Sequence, residues 1–209
     1  ILKVRPDVLG VSEIGTQADL EDLQHRLSKA GLSYPHIHLS EGSDPRRRLA
    51  VLSQIPLETH PAPDLSFLMD GKKHLVSRGI SDVSLSTSYG PVRLLGVHLK
   101  SKRPSKYWNQ ELIRRHESQV VRRHVDSILQ QPNQRLLVYG DFNDTKQSPA
   151  IRAIKGDRNG SLALRALSLK PSDGSRWTHY WEYQDVYSRF DYVFSSAILH
   201  HIIFPKKSN

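Results

Sequence analysis

Apolar residues recur along this chain with two different periods, and each change of period marks a change of element. Residues 7–14, DVLGVSEI, are apolar and β-branched with polar residues toward the ends, which predicts a buried strand. Residues 16–30 switch to helical spacing. Leu20, Leu23, Leu27 and Ala30 share one face, Thr16 with Asp19 has the form of a capping box, and Gly31 supplies a stop. Residues 49–54, 75–88 and 92–99 return to strand patterns, the last as VRLLGVHL. Residues 109–131 form a long amphipathic helix, with Leu112, Ile113, Val120, Val121, Val125, Ile128 and Leu129 as its apolar positions and Pro132 after its end. A strand at 135–140, a short helix at 148–154 and a strand at 190–194 complete the pattern. Several strands follow one another without a helix between them, which argues against a purely parallel doubly wound sheet. An α/β or α+β domain is expected, with helices covering layered sheets.

Composition narrows the classes of function. The 209 residues fit one domain, and 37% hydrophobic with 24% charged is a balance that buries a core without staples. The absence of cysteine excludes disulfides, thiolate metal sites and thiol catalysis. No apolar run approaches the length of a membrane span, so stable membrane insertion is not expected. The opening residues read as folded protein, not as a signal peptide, and the start on Ile1 implies residues upstream. The formal charge of +9 favours a polyanionic partner. It is uneven: Lys100, Lys102, Arg103, Lys106, Arg114, Arg115, Arg122 and Arg123 face only Glu111 and Glu117 over 98–124. A second basic cluster, Arg46-Arg47-Arg48, follows a turn-like Gly42-Ser43-Asp44-Pro45. A solvated helix face would carry such charges too, so charge alone selects no substrate.

Chemistry concentrates where apolar strands end. The strand LLVY runs into Gly140-Asp141-Phe142-Asn143-Asp144, where Asp141 and Asn143 share a face if the backbone stays extended. A carboxylate to orient water beside an amide donor suits attack at a phosphate, although an Asp/Asn turn after a strand is a common structural device. Glu13 ends an apolar strand, where it meets water or serves as a hard oxygen ligand for Mg2+. His98 interrupts an apolar strand just before basic residues. It reads as an edge histidine, as a phosphate contact or as a donor to a leaving group. Asp191 stands among aromatics in RFDYVF, where a buried acid would need a partner, such as a histidine that it orients.

Taken in order, Pro6-Asp7-Val8-Leu9-Gly10-Val11-Ser12-Glu13, Val97-His98-Leu99-Lys100-Ser101, Gly140-Asp141-Phe142-Asn143-Asp144 and Arg189-Phe190-Asp191-Tyr192 resemble the endonuclease/exonuclease/phosphatase superfamily, in the form found in bacterial members. Arg48-Leu49-Ala50-Val51-Leu52-Ser53 with Pro56, and Trp177-Thr178 before Tyr180-Trp181, agree with it. The resemblance implies a four-layered α/β sandwich of two mixed β-sheets flanked by helices, over one domain spanning 1–209. It implies that Glu13 binds Mg2+ or Mn2+ and that Asp141 positions or deprotonates water. It also implies that Asn143 hydrogen-bonds the phosphoryl oxygens, that His98 contacts phosphate or the leaving group, and that Asp191 orients a histidine. Lys100, Lys102 and Arg103 would follow a phosphate backbone. The family's first strand, which brings an Asn to the metal, and its closing Ser-Asp-His segment have no counterpart here. Residues before Ile1 and past Asn209 are expected to supply them. The activity implied is phosphodiester hydrolysis on DNA or RNA. A small-molecule or lipid phosphoesterase, or an impaired polyanion-binding relative, would use the same scaffold.

Overall fold

The computed structural model describes residues 1–169 and 174–205. The tail 206–209, from which the expected closing segment would continue, lies outside the described residues. In chain order the elements are β1 (Val8–Ser12), α1 (Gln17–Lys29), β2 (His36–Leu39), β3 (Leu49–Ser53), β4 (Leu57–Thr59), β5 (Ser66–Met69), β6 (Lys72–Leu75), β7 (Ile80–Thr87), β8 (Gly90–His98), α2 (Gln110–Leu129), β9 (Leu136–Asp141), α3 (Pro149–Lys155), β10 (Arg165–Ala166), β11 (His179–Trp181), β12 (Val186–Ser188), β13 (Asp191–Ser195) and α4 (Ala197–Ile203).

Local chemistry sets the helix ends. The Thr16 hydroxyl accepts from the Asp19 amide, and the Asp19 carboxylate accepts from the Thr16 amide at 2.7 Å. Asn109 caps α2 by accepting from Leu112 N at 3.0 Å, and Ser148 caps α3 ahead of Pro149. The strand expected at 75–88 starts late, since Leu75 ends β6 and residues 76–79 are not strand. Gly79 has φ +73°, and a Cβ there would run into the Glu41 carbonyl, so the chain turns and β7 begins afresh at Ile80. β2, β4, β5, β10, β11, β12 and α4 were not apparent in the pattern, because they are short or half-exposed and carry no clean period.

β3 lies between β1 and β2 in a three-stranded antiparallel sheet. The larger sheet has the order β10-β13-β9-β8-β7-β4, with β8 and β9 parallel and the other pairs antiparallel. Two small hairpins, β5–β6 and β11–β12, stand beside them. Strand alternation builds the layers. Ala50 and Leu52 of β3 meet Leu20 and Leu27 of α1, while Val51 between them meets Val83, Leu85 and Leu94 of the larger sheet. The other face of the larger sheet, with Leu95, Val97, Leu136 and Val138, packs on Val121, Val125 and Ile128 of α2 and on Ile151 and Ile154 of α3. A one-residue slip of β3 would exchange its two apolar faces, so the register is held from both sides.

The result is the expected four-layered α/β sandwich: α1, small sheet, large sheet, then α2 with α3. In one detail it differs, since only the large sheet is mixed. β1 and β2 are joined through α1 and both run antiparallel to β3, which lies between them, so no parallel pair forms in the small sheet. Among the described residues β1 has a strand neighbour on one side only. A cleft of about 440 Å³ opens beside it, between Gly10 and Ser12 on one wall and Asp141 and Asp191 on the other.

Candidate active site

The parallel pair β8–β9 ends at the same level, a place where backbone ends and side chains converge. His98 is the register partner of Asp141, and Asp141 is the register partner of Asp191 in β13. Three residues far apart in sequence thus share one rung across three adjacent strands. Gly140 makes this close approach possible: its φ is +138°, and a Cβ would collide with the Val97 carbonyl. Glu13 reaches the rung from the small sheet, in the left-handed region at φ +59°, an uncommon conformation for a residue with a side chain. Its Oε1 lies 3.9 Å from His98 Nε2 and 3.8 Å from Arg47 Nε.

Asp141 Oδ2 lies 3.7 Å from His98 Nε2, and its Oδ1 accepts from the Asn143 amide at 2.7 Å. Asn143 does not continue an extended backbone. It turns at φ +49°, and its side-chain amide donates to the Leu99 carbonyl at 2.9 Å, leaving one amide hydrogen for another acceptor. Burial pushes the Asp141 carboxyl up to about 6; the Asn143 amide opposes this and the Asp191 carboxylate adds to it. Burial, reinforced by the charges of Arg78 and Arg47, pulls His98 down to about 3, so its ring is neutral at neutral pH. His98 Nδ1 is buried without a hydrogen-bond partner. That places the ring proton best on Nε2, which faces the carboxylates. Asp191 is exposed, so burial does not impose the partner that its aromatic neighbours suggested.

The five residues Glu13, His98, Asp141, Asn143 and Asp191 are therefore brought together. Lys100, Lys102 and Arg103 are not one free cluster. Lys102 Nζ pairs with Asp144 at 2.8 Å and lies 5.4 Å over the Phe190 ring, Lys100 is half-buried, and Arg103 is exposed. Asp144 also receives Arg114 Nε at 3.2 Å, and Arg114 Nη1 donates to the carbonyls of Lys100, Ser101 and Gln110. The second basic cluster does reach the site, through Arg47.

Two ionisable residues escaped the sequence reading. Arg78 is buried in the turn before β7 and donates to the Leu99 carbonyl. Glu117, 1% exposed, accepts from the Lys100 amide at 2.6 Å, and burial pushes its carboxyl up to about 7. Glu117 left a signal: it falls on the apolar stripe of α2, four residues after Ile113 and four before Val121. Arg78 left none. His179 is also near: its ring stacks on Phe190 at 5.2 Å, and its proximity favours the ionised form of Asp141. Among the described residues no group of three or more histidines and carboxylates is arranged to hold a metal ion. No helix among them is long and apolar enough to cross a membrane.

The model of the endonuclease/exonuclease/phosphatase family matches residues 1–205. No curated protein matches the chain significantly in sequence. Among solved structures, truncated TDP2 of Caenorhabditis elegans is similar, with 18% identity, TM-score 0.62, and 93% of this chain and 72% of that chain covered. The human Nocturnin catalytic domain with bound sulfate anion gives 19%, 0.62, 94% and 72%. A mutant beta toxin from Staphylococcus aureus with bound magnesium ions gives 12%, 0.57, 92% and 71%. At these identities the likeness is one of fold.

Proposed function

The chain belongs to the endonuclease/exonuclease/phosphatase family, and from that premise we propose that it is a divalent-metal-dependent phosphodiester hydrolase acting on nucleic acid. The observation that carries this reading is the rung His98–Asp141–Asp191 with Glu13 facing it from the other sheet. Asp141 is the base. A carboxyl raised to about 6 stands close to working pH, where a group can both be ionised and accept a proton with useful driving force. His98, held neutral, donates its Nε2 hydrogen to a phosphoryl oxygen. Asn143 offers its remaining amide hydrogen to the same group. Asp191 orients the histidine that protonates the leaving oxygen, as the family resemblance implies.

Mg2+ or Mn2+ fits the residues present. Glu13 is a hard oxygen donor, half-exposed, and the nearest donor nitrogens, Arg47 Nε and the neutral His98 Nε2, stand off at 3.8 and 3.9 Å, which leaves its carboxylate room for an ion. Mg2+ needs only one or two carboxylates, the rest being water and phosphate oxygens. Bound there, the ion would neutralise charge on the phosphoryl oxygens.

The test is hydrolysis of plasmid DNA, RNA, a bis-aryl phosphodiester, a lipid phosphodiester and a phosphomonoester, with EDTA and with Mg2+ or Mn2+ restored. Cleavage of nucleic acid and of the bis-aryl diester that stops in EDTA and returns with either ion is expected. Undiminished turnover in excess EDTA would overturn the metal role, and preference for the lipid diester would overturn the substrate class.

A further inference from the structure

The β11–β12 hairpin carries its rings outward. Its strands pair with His179 opposite Ser188, Tyr180 opposite Tyr187 and Trp181 opposite Val186. His179 turns back onto Phe190, so alternation points Tyr180 and Tyr187 away from the body of the protein. Those two rings stack at 4.5 Å, and Trp177 packs against Tyr187 at 4.9 Å. Tyr180, Tyr187 and Trp177 nevertheless remain 41%, 56% and 43% exposed. None of them belongs to a core cluster. A contiguous exposed patch of this kind marks a binding surface.

The ladder is tied to the reacting carboxylates. Trp177 lines the same cleft as Asp141 and Asp191. The next residue, Thr178, accepts on its hydroxyl from the backbone amides of Phe190 at 3.1 Å and Asp191 at 3.2 Å. Arg176 and Arg189 also line the cleft, on a chain of net charge +9. Rings that begin at the base, with guanidinium groups beside them, match a ligand of alternating flat bases and phosphates.

We propose that Trp177, Tyr187 and Tyr180 form a stacking platform for the unpaired bases of a single-stranded nucleic acid whose scissile phosphodiester lies at Asp141. This names the substrate class for the hydrolase reading above and rests on it. A base within a duplex has both faces covered by its neighbours, and only an unpaired strand offers a free face to a ring. A membrane surface fits less well. The hairpin's tip holds Glu182 and Asp185 on either side of the exposed Tyr183, with the Tyr180 hydroxyl donating to Asp185 Oδ1 at 3.1 Å, and two carboxylates flanking one ring oppose entry into hydrocarbon.

Binding is read in EDTA, without turnover, so failure of the platform and failure of the hydrolase reading are seen separately. The probes are a short labelled oligothymidylate, a duplex of equal length and phosphatidylcholine vesicles, measured by anisotropy and co-sedimentation. The single strand is expected to bind more tightly than the duplex. Tyr187→Leu should weaken it by about tenfold, the scale of one lost base–ring stack, while Tyr187→Phe should bind as the parent does. If Tyr187→Leu misfolds by circular dichroism, Tyr180→Leu takes its place. Equal affinity for the duplex, no loss in the leucine variants, equal loss in the phenylalanine variant, or binding to vesicles instead of the oligonucleotide would each overturn the platform.

Discussion

The two flanks of the site are built in opposite ways. On the α2 side, ionisable groups are buried and matched: Glu117 holds the Lys100 amide, Arg78 holds the Leu99 carbonyl, and Asp144 is shared by Arg114 and Lys102. On the hairpin side, Asp191, Trp177, Tyr180 and Tyr187 are exposed, and their neighbours are mostly other rings. The difference separates two tasks. A buried, paired flank keeps water away and shifts proton affinities, which is how Asp141 rises and His98 falls. An exposed flank presents surface to whatever arrives.

The largest effect should come from the residue where the flanks meet. Asp141→Asn is expected to reduce diester turnover by about a thousandfold or more, the scale for one member of a cooperating catalytic set, while urea unfolding shows the fold intact. In the parent enzyme the acid limb of kcat/KM should lie near pH 6, because the raised carboxyl must ionise to act. Parental rates in the Asn variant, or a limb at the ordinary aspartate position, would detach Asp141 from the role of base.

Next is stability on the buried flank. Arg114→Leu removes a partner of Asp144 and the donor to three carbonyls, and should cost roughly 3 kcal/mol or more in urea unfolding, as when one partner of a buried ion pair is deleted. Tyr180→Leu on the exposed flank should stay within about 0.5 kcal/mol. Equal costs would dissolve the contrast between the flanks.

Glu117 gives a smaller effect that depends on pH. Its folded pKa, about 7, lies above the ordinary glutamate value, so the folded state binds more protons between the two. Stability contributed by this group should therefore fall as pH rises from about 4.5 to 7. Glu117→Gln, which keeps an acceptor for the Lys100 amide, should flatten that part of the profile. An unchanged slope would mean that the carboxyl is not held protonated by burial.

The smallest effect concerns the loop after β8. Replacing Lys100, Lys102 and Arg103 together should lower the salt dependence of nucleic-acid binding by less than three phosphate contacts' worth, because Lys102 is already paired with Asp144. No change in slope would make these residues a solvated face.

Much of this was open to a reader of the chain. The alternation of Ala50, Val51 and Leu52 and the stripe of α2 foretold sheets covered by helices, Thr16 and Asp19 foretold the start of α1, and the order of four motifs foretold the family. These signals are local: a period reports which side of an element is apolar, and a cap involves residues three apart. Local signals cannot report which element faces which. That β9 ends between β8 and β13, so that His98, Asp141 and Asp191 share a rung, was decided by strand pairing at long range. So was the commitment of Lys102 to Asp144, and so were the buried places of Arg78 and Glu117. The amino-acid sequence by itself determined which residues carry charge, rings and hydrogen-bonding groups. Only the tertiary structure decided their protonation and partners, because both depend on desolvation and on charges brought near by packing.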